Sequence, residues 1–246
     1  MNQLVSGTKD LYISQFLSSF SVIQMAEDIE AMLKLDWDIP KKPYPPKLIT
    51  LASGEKMVVR EASREEVPIL LDALRPLITV SKDYYDVVAA RMYAELLSWY
   101  RYRSRNEFCL AGVIDGVLVG LANNRHINQK EVWSHHTIAL KRGGRVGAHM
   151  FAAKHEYSFE YLGAEKIYVV AESPIGFRRW MVEWNLKKTD GIQHELHGAT
   201  AWVITADEYF KNIKPRLVFG ERPVPEDLLK QSMQLKIGEA DVIKEK

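Results

Sequence analysis

The feature that most constrains the fold is a β-rich segment that runs through a basic glycine turn into a helical segment. Residues 132–140 have the β-branched and aromatic content of a strand, Arg142 to Gly147 form the turn, and residues 146–162 continue as a helix that ends at Gly163. Glycines allow backbone N–H groups to point into one concavity. The first helical turn adds unpaired N–H groups and the positive end of the helix dipole. This arrangement predicts an anion site, most naturally for a phosphate or pyrophosphate.

Composition sets broad limits on the class of protein. A chain of 246 residues suits one domain of moderate size with extensions, or two small domains. The hydrophobic content of 47% and the charged content of 26% are typical of a globular protein rather than a disordered one. The formal net charge of +1 does not favour a nucleic-acid partner, because it supplies no general electrostatic attraction.

Cysteine use and hydropathy bear on location. Cys109 is the single cysteine of the sequence, so no intramolecular disulfide can form, which fits a reducing compartment. The first ten residues do not resemble a secretory signal. No apolar stretch approaches the roughly 18 residues that a membrane span needs. These observations predict a cytoplasmic protein without a membrane partner.

The sequence divides into three regions. Residues 10–35 carry apolar residues at spacings of three and four, which predicts an N-terminal helix. Its apolar stripe packs either on the body of the protein or on a second copy in a homodimer. Prolines cluster in residues 39–46 and predict an extended linker. We therefore expect a helical extension and linker at 1–46, a main domain at 47–213, and a C-terminal tail at 214–246 whose end is frayed.

The main domain alternates strand and helix patterns. Asp115-Gly116 between two apolar runs predicts a tight hairpin, and Ser63 with Glu66 forms a capping-box pattern ahead of a helix. Strands are predicted at 47–51, 56–62, 107–113, 117–123, 132–140, 166–171, 187–196 and 200–205, and helices at 63–74, 82–103, 146–162, 174–184 and 207–213. The pattern indicates an α/β fold, a mixed twisted sheet of about seven strands with helices on both faces.

Four stretches together resemble one family. These are Met57 to Ala62 with the capped helix after it, Leu110 to Gly120 with its Asp-Gly turn, Arg142 to Gly147, and Trp184-Asn185-Leu186. In this order they resemble the GNAT-type N-acetyltransferase superfamily, over roughly residues 56–210. The sequence departs from the family pattern in three places. Arg145 replaces the first loop glycine, Glu172-Ser173-Pro174 stands where asparagine is common, and Trp180 or Met181 stands where a tyrosine is often found.

The resemblance implies a GNAT-like fold and acetyl-CoA as the cofactor. It implies direct transfer of an acetyl group, in a ternary complex, to the primary amine of a small molecule or peptide. The alternative is a non-catalytic acyl-CoA-binding or protein-interaction module with the same fold. By resemblance, the pantetheine arm pairs with Thr137, Ile138 and Ala139. The pyrophosphate is bound by the loop and first helical turn, namely Arg142, Gly143, Gly144, Arg145, Val146, Gly147 and Ala148.

Acetyl transfer needs a base for the amine and a proton for the departing thiolate. Glu172 ends the predicted fifth core strand, and we consider it as the base. The alternative interpretation is that Glu172 is an acid at a helix N-terminus, where the helix dipole stabilises its charge. His135 and His136 are the other candidate bases, although their alternation along a strand predicts that one faces each side of the sheet. Ser173 is a candidate general acid, whereas Tyr157 is more consistent with packing.

Three further patterns have simpler readings. His194 and His197 point to opposite faces if they lie in one strand, so we predict no metal site. Cys109 lies in an apolar strand and is best explained as a core residue. The basic and aromatic run Trp99 to Arg105 reads as the solvated end of a helix, with contact to an acidic or aromatic acceptor, or to nucleic acid, as alternatives.

Overall fold

The computed structural model of the protein describes residues 41–193 and 200–244. The strands, in chain order, are β1 (Lys47–Thr50), β2 (Lys56–Glu61), β3 (Glu107–Ile114), β4 (Val117–His126), β5 (Glu131–Ala139), β6 (Lys166–Val169), β7 (Lys187–Gln193), β8 (Thr200–Thr205) and β9 (Lys236–Ile237). In this described part they form one nine-stranded sheet with the order β1-β2-β3-β4-β5-β6-β8-β7, and β9 pairs with β4.

The helices pack on the two faces of the sheet. They are α1 (Val67–Leu74), α2 (Tyr85–Tyr100), α3 (Val146–Glu156, continued by the π-helical turn Tyr157–Tyr161), α4 (Pro174–Gly176, continued by Phe177–Val182), α5 (Ala206–Glu208, continued by Tyr209–Ile213 and Lys214–Leu217), α6 (Glu226–Ser232) and α7 (Asp241–Lys244). Short 3₁₀ turns at Arg64–Glu66, Arg75–Thr79 and Lys82–Tyr84 complete the connections. The prediction of a mixed sheet covered by helices on both faces is confirmed.

Strand alternation assigns core residues to the two faces. Along β3, Cys109 and Ala111 join the apolar cluster under α1 and α2. Phe108 and Leu110 join the cluster under α3. This period of two is what a strand buried on both faces requires. The burial of Cys109 agrees with its reading as a core residue, and burial also raises the pKa of its thiol.

The sheet has one pairing that shapes the rest of the molecule. Neighbours along the order are antiparallel except β5 and β6, which are parallel. Parallel neighbours need a crossover, and α3 supplies it. Two glycines let α3 approach the sheet closely, because a Cβ on Gly112 would lie 2.8 Å from Met150 and one on Gly120 would lie 2.9 Å from Val146. The N-terminus of α3 is therefore fixed against β3 and β4.

Local turn chemistry follows the sequence. Asp115 and Gly116 have φ values of 50° and 77°, as a type I′ hairpin requires, so the predicted hairpin is confirmed. Ser63 and Glu66 form the predicted capping box. No helix in the described residues is long and apolar enough to cross a membrane. The cytoplasmic location and the three domain boundaries stay predictions.

The C-terminal segment differs from its prediction. The expectation of a frayed end is wrong as far as residue 244, because β9 extends the sheet and Val242 is buried in the core. The backbone N–H of Asp241 also donates to the carbonyl of Leu140 over 2.9 Å. The proline and charge content of this segment concealed its buried residues. The predicted helix at 10–35, its homodimer contact, His194 and His197 lie outside the described residues.

Candidate active site

A cleft opens where β5 and β6 separate. The two strands pair over Glu131 to Ser134 and Lys166 to Val169, and β5 then continues to Ala139 paired with β4 alone. The space between them is a cleft of about 410 Å³. All of the predicted catalytic and cofactor-binding residues line it, namely His135, His136, Thr137, Ile138, Ala139, Arg142, Gly143, Gly144, Arg145, Val146, Gly147, Ala148, Glu172 and Ser173. The structure therefore places these residues together, while their roles stay predictions.

A β-bulge in β5 changes the expected direction of the two histidines. Ala122 pairs with Thr137 and Asn124 pairs with Ser134, so Asn123 stands opposite both His135 and His136. Two residues opposite one break the alternation of a strand. The prediction that the histidines face opposite sides of the sheet is therefore wrong.

Instead, both imidazoles reach one carboxylate on α2. His135 Nδ1 lies 3.0 Å from Glu95 Oε2, and His136 Nε2 lies 3.0 Å from Glu95 Oε1. Glu95 is a residue that sequence reasoning missed. Its signal was position, because Glu95 falls on the apolar stripe of α2 at helical spacing from Met92 and Trp99. An acid on a buried helix face needs partners, and the two histidines supply them.

His136 also contacts Glu172, the predicted base. Its Nδ1 lies 2.5 Å from Glu172 Oε2, and Arg91 Nη1 lies 2.5 Å from Glu172 Oε1. Burial alone would lower the pKa of His136, but Glu95 and Glu172 outweigh burial and raise that pKa to about 9. Burial would raise the pKa of Glu172, but His136 and Arg91 outweigh burial and lower it to about 2. At neutral pH the pair is an imidazolium and a carboxylate.

These ionisation states separate the candidate roles. An ionised Glu172 can accept a proton, whereas a protonated His136 can donate one. His135 is less suited to acting on a ligand, because its side chain is buried between Glu95 and Glu107. The geometry thus favours Glu172 over either histidine as the base. We call Glu95, His135, His136 and Glu172 the cleft cluster.

Asn123 and Glu107 complete the surroundings of the cleft cluster. The Asn123 amide donates to Glu95 over 2.8 Å and to Glu107 over 2.7 Å, and its oxygen accepts from the backbone N–H of His136. Glu95, Glu107 and His135 are residue types that also bind metals. Hydrogen bonds among these residues and Asn123 already account for their arrangement, so we assign no metal to them.

A buried lysine supports the bulge from the other face of the sheet. Lys154 on α3 donates to the carbonyls of His135, His136 and Asn123 over 3.0, 3.1 and 3.4 Å. Burial lowers its pKa to about 7. Three carbonyls that meet one amine fix the backbone of the bulge, and with it the direction of both imidazoles. The sequence signal was a lysine within the apolar face of the helix after the glycine turn.

The glycine turn adopts the conformation of an anion-binding loop. Gly143, Gly144 and Arg145 have φ values of 80°, 55° and 61°, and α3 begins at Val146. Successive left-handed residues before a helix form a concavity of N–H groups. Arg145 thus occupies a left-handed position that favours glycine, which is what the resemblance expects there. The backbone keeps the loop geometry although the side chain differs.

Acidic residues hold the start of this loop. Arg142 Nη1 lies 2.9 Å from Asp83 Oδ2, and the Arg142 backbone N–H donates to Asp241 Oδ2 over 2.9 Å. Lys141 pairs with Glu55 at 2.9 Å. Arg145 is exposed, and Arg179 from α4 also lines the cleft. Arg145 and Arg179 are therefore better placed than Arg142 to meet an anion.

Two of the remaining positions have structural explanations. The Ser173 hydroxyl accepts from the backbone N–H of Gly176 over 3.0 Å and caps α4. Trp180 stacks on Phe151 with ring centroids 3.7 Å apart. At the other wall of the cleft, the Tyr85 hydroxyl donates to the carbonyl of Ala139 over 2.8 Å. Ser173 as a general acid stays a prediction, now with a capping role beside it.

Comparison with known proteins gives likenesses of fold. No protein-family model matches the chain, and no curated protein matches it significantly. The GNAT domain of S. lividans PAT is 12% identical, with 68% of this chain and 99% of that chain covered and a TM-score of 0.45. The PaiA N-acetyltransferase from Thermoplasma acidophilum, solved in complex with coenzyme A, is 16% identical, with coverages of 61% and 98% and a TM-score of 0.44.

A third solved structure, of the spermidine/spermine N-acetyltransferase SpeG from Vibrio cholerae, is 16% identical, with coverages of 63% and 96% and a TM-score of 0.43. At these values the likenesses carry no argument about activity or substrate. The architecture itself, with β5 and β6 diverging beside a glycine loop, has the fold class that the sequence predicts, a mixed sheet with helices on both faces.

Proposed function

We propose that the protein is an acetyl-CoA-dependent N-acetyltransferase that moves an acetyl group directly to a primary amine of a small molecule or peptide. The observation that carries the proposal is the composition of one cleft. The cleft is lined by a glycine loop at a helix N-terminus and by the ion pair of His136 and Glu172. The first suits a pyrophosphate, and the second suits proton transfer.

The residues of the cleft fit coenzyme A. The N–H groups at the start of α3 and the side chains of Arg145 and Arg179 are the donors for its phosphates. The edge of β5 that faces the cleft leaves β6 after Ser134, so backbone groups of residues 137–139 are suited to pair with the amides of pantetheine. When bound, acetyl-CoA supplies the activated acyl group.

Proton accounting assigns roles to the ion pair. Attack of a neutral amine forms a carbon–nitrogen bond, breaks the carbon–sulfur bond, releases one proton from nitrogen and requires one proton at sulfur. Glu172 is ionised and accepts the first proton. His136 is protonated and donates the second. Transfer of the proton from Glu172 back to His136, across their direct contact, then restores the starting state.

The test of the cofactor site is calorimetric titration with coenzyme A and acetyl-CoA. Replacing Arg145 with alanine removes a charge-assisted contact, for which we expect roughly tenfold weaker binding. Arg75→Ala is the matched control, because Arg75 is exposed on α1's end and pairs with Asp72 outside the cleft. Equal affinities of the two variants would contradict the placement of the phosphates.

The test of catalysis is thiol release from acetyl-CoA over a panel of amines and peptides. Release with any primary amine, abolished in Glu172→Gln, would support the enzyme. Binding of coenzyme A without release across the panel would support the non-catalytic acyl-CoA-binding module instead. Absence of binding at millimolar ligand would contradict both.

A further inference from the structure

The cleft cluster is a continuous series of contacts in which carboxylates and imidazoles alternate. Glu172 contacts His136 at 2.5 Å, His136 contacts Glu95 at 3.0 Å, and Glu95 contacts His135 at 3.0 Å. The two oxygens of Glu95 serve different histidines. One carboxylate on α2 therefore connects the imidazole beside the proposed base with a second, deeper imidazole.

Charges reach this series from every element around it. Arg91 and Glu95 come from α2, Glu107 from β3, Lys154 from α3 and Glu172 from the segment after β6. Lys154 is directed to backbone carbonyls, and Arg91 pairs with Glu172. The histidines are the partners of Glu95 and Glu107 at ion-pair distance, and the charge of Lys154 acts on both carboxylates from farther away. The protons on the two imidazoles are part of the charge balance.

We propose that Glu95 is a positioning residue of the acetyl transfer, a single carboxylate that orients both imidazoles and couples their protonation. The inference rests on the proposed function, in which His136 gives its proton to the leaving sulfur and regains one from Glu172. Nε2 of His136 lies 3.0 Å from Glu95, and Nδ1 of the same ring contacts Glu172, which lines the cleft. The charge of Glu95 also keeps a proton on His136 between turnovers.

A carboxylate is required by the pattern of donors. Glu95 Oε1 faces a ring nitrogen of His136, while Glu95 Oε2 faces His135 and the Asn123 amide. A glutamine at this position has one acceptor oxygen and one NH₂ group. Its NH₂ would meet either a protonated imidazole or the Asn123 donor. The near-isosteric change Glu95→Gln therefore removes the coupling with little change of volume.

The first experiment compares kcat against pH for the unaltered protein and Glu95→Gln. Loss of the Glu95 charge lowers the pKa of His136, so the alkaline limb of the profile moves down by one pH unit or more and kcat at pH values on that limb falls about tenfold. Glu95→Asp keeps the negative charge, so it recovers part of the lost kcat and part of the shift of the alkaline limb. Glu160→Gln is the control, because Glu160 binds Tyr209 and Lys214 outside the cleft and its profile stays unchanged.

The second experiment measures the coupling between the protonation of His135 and that of His136, by proton NMR titration of the imidazoles. It does not depend on enzymatic activity. In the unaltered background, His135→Gln shifts the midpoint of His136. In the Glu95→Gln background it does not. If Glu95→Gln does not fold, the comparison of Glu95→Asp with the unaltered protein carries both measurements.

The inference would be overturned if a folded, active Glu95→Gln protein kept its alkaline limb at the same pH. It would also be overturned if His135→Gln, made in the otherwise unaltered protein, left the titration midpoint of His136 unchanged. Failure of the proposed function looks different, because the unaltered protein would then release no thiol with any amine. In that event a positioning role in acetyl transfer falls with it, even where the NMR coupling is present.

Discussion

Two buried ionic groups lie in different parts of the molecule, and they have different compositions. The β1 cluster joins Tyr44, Lys47, Glu156 and Arg222. Glu156 accepts from Lys47 over 2.6 Å, from Tyr44 over 2.7 Å and from Arg222 over 3.0 Å. A lysine, an arginine and a phenol surround one acid there. In the cleft cluster the carboxylates are matched by histidines, whose charge depends on bound protons.

The difference in composition separates a structural role from a role in proton transfer. The β1 cluster connects three distant stretches of chain, at Lys47, Glu156 and Arg222, through two ion pairs. A group of this kind fixes the fold. Three members of the cleft cluster, His135, His136 and Glu172, line the cleft, and the imidazoles among them are groups that can bind and release protons. Buried charge alone is thus a weak indicator of a site, whereas buried charge balanced by histidine protons beside a cleft is a stronger one.

The largest expected effect concerns the β1 cluster. Lys47→Met leaves Glu156 in the interior with fewer positive partners, and breaking a buried pair in this way typically costs about 3 kcal/mol of unfolding free energy. Denaturant unfolding measures the change. Lys130→Ala is the matched control, since its pair with Glu165 is exposed and worth less than about 1 kcal/mol. Equal losses in the two variants would contradict the structural role of the β1 cluster.

The next effect is specific to the cleft cluster and to alkaline pH. The pKa of His136 is raised from 6.5 to about 9, so the stability that its proton contributes is complete below pH 6.5 and is lost as pH rises through about 9. The unfolding free energies of the unaltered protein and His136→Gln should therefore converge over this range, by on the order of 2 kcal/mol.

Denaturant unfolding at several pH values measures this convergence. Both proteins retain Lys154, so subtracting one unfolding free energy from the other removes most of the pH dependence that Lys154 contributes. Its pKa, lowered to about 7, makes stability rise with pH and would otherwise mask the trend. A constant difference from pH 6 to 10 would show that His136 is not held protonated. The β1 cluster has the opposite sign, because Glu156, with its lowered pKa, contributes stability that is lost as pH falls.

The smallest effect concerns the loop beside the cleft. Arg145→Gly removes a side chain from a left-handed position with φ of 61°, and we expect a gain of about 1 kcal/mol in unfolding free energy. Thermal unfolding measures the gain. The same variant loses the charge that meets phosphate, so stability and coenzyme A affinity should move in opposite directions. A loss of stability would mean that the Arg145 side chain supports the fold rather than the ligand.

The sequence allowed prediction of the features that short stretches of chain determine. The Asp115-Gly116 hairpin, the Ser63 capping box and the strand, glycine turn and helix around Arg142 each depend on a few adjacent residues, and each is present in the structure. The left-handed loop also tolerates Arg145, so the absence of a motif glycine did not remove the motif's geometry.

The features that distant residues determine were missed. The bulge that turns both histidines to Glu95 depends on the register of β5 against Asn123, and a register cannot be read from one strand. Glu95 and Lys154 were not predicted as residues of the site, because their burial depends on how α2 and α3 dock on the sheet. The partners of a buried charge are set by tertiary contacts, and the cleft cluster is assembled from α2, β5 and the segment after β6.

The contact between Asp241 and the glycine loop has a consequence for the order of folding. Arg142 and Asp241 are 99 positions apart in the chain; the Asp241 side chain contacts the start of the loop, and its backbone N–H contacts Leu140 just before the loop. The strand, turn and helix around the loop can form from local interactions as the chain is synthesised, but the loop's final shape awaits the docking of residues 240–243. A nascent chain therefore possesses the cleft before it possesses a finished anion site, and ligand affinity would appear late, after most of the sheet is in place.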